Sequence, residues 1–312
     1  MKYLKIGISV LVWLLLIWFL FKTLDRLPSW AEWAGYMSGP IIMAIGVFAL
    51  CFLAATGLRA FRFGFLLRKV VVVPWKNILT DFPWLLMIGA VTPLRLGEGY
   101  RAVWVRKFGS HSLSVIALWI AERLIDLFML VLILSVTIAL NGAFEAGTRG
   151  IATGVIAALL LGYLLTCFFL KPLVRFVEAR PHMTRLGEIG RALSVVNTLP
   201  NHAVMLSTSL AIWLFIGSGF TAIMSASAPV ASPGLFGFAS TALVNLAGIF
   251  SVMPGNVGGY QAVVVAASEP FGFPETSAFM ASVILMSVAL TITITLGLCA
   301  LLIRRFILKA DA

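Results

Sequence analysis

Three charged residues within five positions, Glu122, Arg123 and Asp126, stand in the otherwise apolar stretch 118–127. A charge at bilayer depth costs about 2.5–3.5 kcal/mol on insertion scales, so such a cluster must face protein or water. Glu122 and Asp126 are four apart and share a helix face, while Arg123, three before Asp126, is spaced to pair with it. Upstream, Pro93-Leu94-Arg95-Leu96-Gly97-Glu98-Gly99-Tyr100-Arg101 adds two arginines and a glutamate to a segment broken by proline and glycine. Arg101, on the returning arm, is spaced to approach Glu122. Two readings stay open: a closed ion-pair network that locks this segment to the next helix, or a network that opens to receive a phosphate, whose oxygens suit the planar fork of arginine. They coincide if the network is a gate, with Glu122, Arg123 and Asp126 as gating residues.

A second break, Met253-Pro254-Gly255-Asn256-Val257-Gly258-Gly259-Tyr260-Gln261, can be laid against the first with one residue fewer. Asn256 stands where the first copy has Arg95, and Gln261 where it has Arg101, so the second copy is polar but uncharged. Arg95, Glu98, Arg101, Asn256 and Gln261 are the candidate substrate contacts. Pro93, Gly97, Pro254, Gly255, Gly258 and Gly259 shape the two breaks, and Gly97, Gly258 and Gly259 permit close backbone approach. Helix ends at such breaks expose N–H groups that can bind an anion. Asn245 reads as a helix–helix hydrogen bond.

The elements that must position these residues are membrane helices. Hydrophobic residues make up 61% of the 312 and charged residues 11%, against about 45–50% and 25% in a soluble domain. A crossing needs about 20 apolar residues. Six stretches qualify: about 6–22, 41–59, 112–140, 150–170, 203–225 and 276–303. Two more, about 77–107 and 236–268, are apolar but broken. The expected fold is an all-α polytopic membrane protein, a single integral domain over 1–312, with six full transmembrane helices and two re-entrant helical hairpins. Two crossings, a hairpin and a crossing recur in residues 1–140 and 150–303, and the odd number of crossings inverts the second repeat. Inverted repeats with discontinuous helices bind substrate near the midplane, where the breaks meet.

With each hairpin entering and leaving on one side, 19 of the 23 Lys and Arg fall on the face that holds both termini. The positive-inside rule makes that face cytoplasmic and the chain a multi-pass protein of the cell membrane. The net charge of +11 then reflects topology and attraction to anionic lipid, with no nucleic-acid partner, because the basic residues flank helix ends instead of forming a stripe. Residues 6–21 read as a retained helix, since Lys22 and Arg26 follow where a signal-peptide cleavage site belongs. Residues 183–198, with Leu186, Ile189, Leu193 and Val196 at helical steps, suit either an interfacial helix or a connector. Cys51, Cys167 and Cys299 lie in apolar stretches without CxxC spacing, and His111, His182 and His202 are scattered, so neither a metal nor another cofactor is expected.

Pro93-Leu94-Arg95-Leu96-Gly97-Glu98 with Arg101, then Glu122-Arg123-Leu124-Ile125-Asp126, then Pro254-Gly255-Asn256-Val257-Gly258 resemble, in order and spacing, motifs of the flippase-like family named for the transmembrane region of lysylphosphatidylglycerol synthases. Leu94 replaces a glycine of the first motif, and Gln261 stands near where the last often carries glutamate. The resemblance spans nearly the whole chain. It implies lipid movement between leaflets, and the lack of a synthase domain within these residues implies a stand-alone member; some of those are associated with hopanoid or other isoprenoid-lipid pathways. The expectation is therefore a lipid translocase for an anionic or phosphate-bearing lipid, with membrane lipids and a lipid-synthesising enzyme as partners, and not an enzyme itself. The alternatives are a membrane-embedded lipid transferase using Glu122 or Asp126 as a base, and a scaffold for a lipid-modifying enzyme.

Overall fold

The computed structural model describes residues 29–92, 97–109, 112–178, 189–190, 192–194, 197–230, 232–248 and 256–306. The crossing expected at 6–22, the break residues Pro93, Arg95, Pro254 and Gly255, and most of 183–198 lie outside them. In chain order the helices are α1 (Trp30–Tyr36), α2 (Gly39–Leu67), α3 (Trp75–Val91), α4 (Tyr100–Trp104), α5 (Ser112–Leu140), α6 (Ala146–Glu178), α7 (Leu199–Ser227), α8 (Pro233–Ala247), α9 (Gly259–Ala266) and α10 (Glu275–Phe306). No strand occurs among the described residues.

Five of these helices, α2, α5, α6, α7 and α10, are long and apolar enough to cross a membrane, and the chain is a multi-pass membrane protein. They coincide with five of the six expected crossings, with two corrections: α6, expected at 150–170, runs from Ala146 to Glu178, and α2 also overruns its expected end. The crossing expected at 41–59 continues to Leu67, because Ala60, Phe61, Phe63 and then Phe65, Leu66 and Leu67 prolong its apolar face. Arg59 and Arg62, assigned from the sequence to the polar stretch after it, belong to the helix.

The broken stretches fold as paired antiparallel arms. Along the first, the Trp84 and Tyr100 rings meet at 5.4 Å, and Asp81 Oδ2 accepts from Trp104 Nε1 at 2.6 Å and from Lys107 Nζ at 2.5 Å. At its tip the Gly97 amide donates to Thr92 Oγ1 at 2.8 Å. A Cβ on Gly97 would lie 2.5 Å from the Ile88 carbonyl oxygen, so this approach of the arms requires glycine. Along the second, Phe236 of α8 packs on Phe271 and Phe273, at 5.5 and 4.6 Å.

The core forms where α2 crosses α7, with Phe48 and Phe220 edge to face at 5.9 Å. Gly219 lets the two backbones close: a Cβ there would stand 3.2 Å from Phe48 Cα. Small residues at such crossings are the usual route to tight packing between apolar helices. Around this crossing α3 packs on α10, and α8 packs on α5. The described residues that flank the two breaks, Thr92 and Glu98 on one and Gly248 and Asn256 on the other, are thereby brought to line one cavity. Outside it, α1 starts with a capping box between Ser29 and Glu32. It is pinned by a hydrogen bond from the Tyr36 hydroxyl to Ser227, and burial pushes that phenol up to about 12.

Candidate functional site

The charged residues meet in one buried network. Arg62 of α2 makes a two-pronged contact with Asp126, Nη1 to Oδ1 at 2.7 Å and Nη2 to Oδ2 at 2.8 Å, and it also donates to Ser209 of α7. Its Nε lies 3.9 Å from Glu122 Oε1. Asp126 further accepts from Trp213 Nε1 at 3.3 Å. A single guanidinium thus links α2, α5 and α7, in the fork geometry that favours arginine over lysine. The four-residue spacing of Glu122 and Asp126 does set both carboxylates on one side of α5, but their cation comes from another helix.

Arg123 does not pair with Asp126. It reaches Glu98 Oε2 at 2.7 Å, and Glu98 also accepts from Trp119 Nε1 at 2.9 Å. The physical reason is competition. Arg62 offers Asp126 two parallel hydrogen bonds from a facing helix, whereas Arg123, on the same helix as Asp126, is turned toward the hairpin tip. Arg62 is the candidate site residue that sequence reasoning missed. Its signal was the apolar run on both sides of it.

Arg101 does approach Glu122, with Nη1 3.3 Å from Oε2. It is held less tightly than Arg62. Its guanidinium lies over the rings of Phe63 and Phe82, at 5.1 and 5.3 Å from their centroids. Cation–π contact holds the charge in place without consuming its N–H donors. The Nε of Arg101, the Nε of Arg62 and the Oε1 of Glu122 are all buried with no hydrogen-bond partner. Unmade hydrogen bonds at buried groups are costly, and three of them here mark a place where a polar guest would be welcome.

They border a cavity of about 190 Å³ between the two hairpin tips. From the first half of the chain, its lining among the described residues has four arginines, Arg59, Arg62, Arg101 and Arg123, and three carboxylates, Glu98, Glu122 and Asp126. The other half contributes Trp213, Asn245, Asn256, Tyr260 and Thr293, polar or aromatic but uncharged. Among the described residues Asn245 makes no helix–helix bond of the kind expected. Its Nδ2 donates to the Thr241 carbonyl of its own helix at 2.8 Å.

Gln261 is turned away from the cavity. Its Oε1 accepts from the Gly258 amide at 2.8 Å and its Nε2 touches Met286 Sδ at 3.4 Å, so it caps α9. The amide expected to be open to an anion at this break is therefore already satisfied. The next residue back, Tyr260, faces the cavity instead, whereas in the first hairpin Arg101 faces in and Tyr100 faces out. The extra residue of the first arm explains the swap, since one inserted residue turns a helical segment by about 100°. Gly258 has φ of +81° and Asn256 of +60°, a left-handed pair that forms the turn into α9. A Cβ on Gly259 would meet the Asn256 side chain at 2.8 Å, so the close approach there is to a side chain and not to backbone.

Neither the curated proteins nor the solved structures include a match to the chain. The family model described as the lysylphosphatidylglycerol synthase TM region matches residues 4–297, almost the full length over which the three motifs and both hairpins are spread, and the chain belongs to that family.

Proposed function

We propose that the chain carries the head group of an anionic, phosphate-bearing lipid between the leaflets of the cell membrane, acting as a transporter and not as an enzyme. The observation that carries this reading is the cavity itself: four arginines against three carboxylates, with buried Arg101 and Arg62 donors lacking acceptors. A phosphate there would balance the excess positive charge and take up the unused N–H groups. Family membership supports a membrane-lipid function in general terms. The pairing of α3 with α10 and of α8 with α5 is what two inverted repeats with re-entrant hairpins would produce. In this scheme the lipid tails stay in the bilayer, the Arg62 pair holds the helices together, and the looser Arg101–Glu122 contact opens as the head group enters. The basic face is then cytoplasmic, where a lipid-synthesising enzyme would deliver the substrate.

The test is translocation of tagged phosphatidylglycerol and of a tagged isoprenyl phosphate in proteoliposomes, with wild type, Arg101→Ala and Glu122→Gln compared at equal folded amount. Wild type moves at least one of the lipids and both variants slow it. Full activity in both variants removes the site assignment, and no movement of either lipid by wild type removes the transport reading. A chemically new lipid in the vesicles would point to a transferase.

A further inference from the structure

The first hairpin has a second face. Phe82 and Arg101 line the central cavity, while their chain neighbours Asp81 and Tyr100 line another, of about 690 Å³, beside the end of α10. Its charged and aromatic lining is Asp81, Trp84, Tyr100, Lys107, Arg304 and Arg305. Three cations thus face one carboxylate, and that carboxylate already accepts from Trp104 and Lys107. Arg304 and Arg305, exposed in the last turn of α10, make no hydrogen bond or ion pair among the described residues. Arginines in a last helical turn do offset the partial negative charge of the helix end. That role needs neither a cavity nor a further donor, yet here Trp84 Nε1, from the same lining, is buried with no acceptor.

The missing partner is therefore a multivalent acceptor, small enough to reach an indole N–H and two guanidinium groups together. We propose that this cavity binds a phosphate ester, and that the ester is the head group of an anionic lipid whose body lies along Trp84 and Tyr100. Both rings pair apolar faces with polar edges, as tryptophan and tyrosine do at membrane interfaces. The site is separate from the central cavity and does not depend on transport through it. A soluble phosphate ester has the same recognition chemistry, so the test separates the two sources.

Thermal unfolding of the full chain in phosphatidylcholine micelles is followed after addition of short-chain phosphatidylglycerol, of glycerol phosphate, or of more phosphatidylcholine. A ligand that binds only the folded state raises the midpoint. Phosphatidylglycerol is expected to raise it in wild type and, with the central cavity's contact removed, in Arg101→Ala; in that Arg101→Ala background the rise is lost on adding Arg304→Ala/Arg305→Ala. Trp84→Phe, which keeps the ring and removes the donor, reduces the rise. Arg68→Ala/Lys69→Ala, an equal loss of charge outside both cavities, retains it. A rise with glycerol phosphate that matches the lipid's supports the phosphate-ester site and assigns it a soluble ligand. No rise with either compound, a rise in the Arg101→Ala background that survives the added Arg304→Ala/Arg305→Ala changes, or equal loss in the Arg68/Lys69 control overturns the proposal.

Discussion

The two walls of the central cavity are built alike and charged differently. Each has the tip of a broken hairpin and a long helix packed behind it, but every charged lining residue described comes from the first half of the chain. The wall with charges is tied across helices by ion pairs. On the neutral wall the hairpin's polar groups are satisfied locally, Asn245 on its own helix and Gln261 on its own helix start, while Trp213 of α7 reaches across to Asp126. Local satisfaction leaves a surface that can slide or tilt without breaking a charge pair, whereas the charged wall resists any movement that separates Arg62 from Asp126. On the proposed reading, binding and rigidity therefore sit on one side and freedom of movement on the other.

The largest expected effect is on the charged wall's stability. Arg62→Ala leaves Asp126 buried without its cation and should cost about 3–5 kcal/mol, read as a lower unfolding midpoint or loss of monodisperse protein in detergent. The apolar pair Arg62→Met/Asp126→Leu should recover much of that loss. If Arg62→Ala is as stable as wild type, the two walls do not differ in rigidity as described. Next, Gly97→Ala forces a methyl group against the Ile88 carbonyl and should cost roughly 1–3 kcal/mol, by overpacking, in the same unfolding assay. Its counterpart Gly258→Ala meets a left-handed backbone instead of a collision and should cost about 1–2 kcal/mol.

For lipid movement the contrast is between the two residues that face in. Arg101→Ala should slow translocation by roughly ten- to a hundred-fold, the equivalent of one charged hydrogen bond at about 1.5–3 kcal/mol. Tyr260→Phe, on the neutral wall, should change it by less than about three-fold, since a neutral hydrogen bond contributes about 0.5–1.5 kcal/mol at most there. Equal effects of the two substitutions would erase the distinction between a binding wall and a neutral one. The smallest change is expected for Gln261→Ala, which removes a helix cap worth roughly 0.5–2 kcal/mol to α9 and leaves head-group contacts untouched. A strong loss of transport at unchanged stability would place Gln261 back among the substrate contacts.

Much of the fold was legible in the sequence because lipid imposes a simple rule: a spanning helix must be long and apolar throughout. The helix at 112–140 was read with its observed ends, and those at 203–225 and 276–303 to within a few residues. The end of α2 was misplaced because Arg59 and Arg62 look like the start of a polar loop. Nothing in local composition distinguishes an arginine that leaves the membrane from one that turns inward to a partner on another helix. The same gap explains Arg123. Three-residue spacing made Asp126 a fair partner, but spacing along one helix says nothing about a competing guanidinium on a facing one.

The second hairpin teaches a related lesson. Matching Gln261 to Arg101 by position was sound as an alignment, yet which residue faces the cavity is set by rotation about the arm, and Glu98 adds one step to that rotation in the first copy. By itself the sequence determined the membrane class, the long helices, the two breaks and the set of charged residues, all of which depend on short-range patterns of apolarity and on proline and glycine. Only the tertiary structure decided which charges pair, which donors remain unused and which hairpin residues face inward, because those follow from how separate helices are packed and turned against one another.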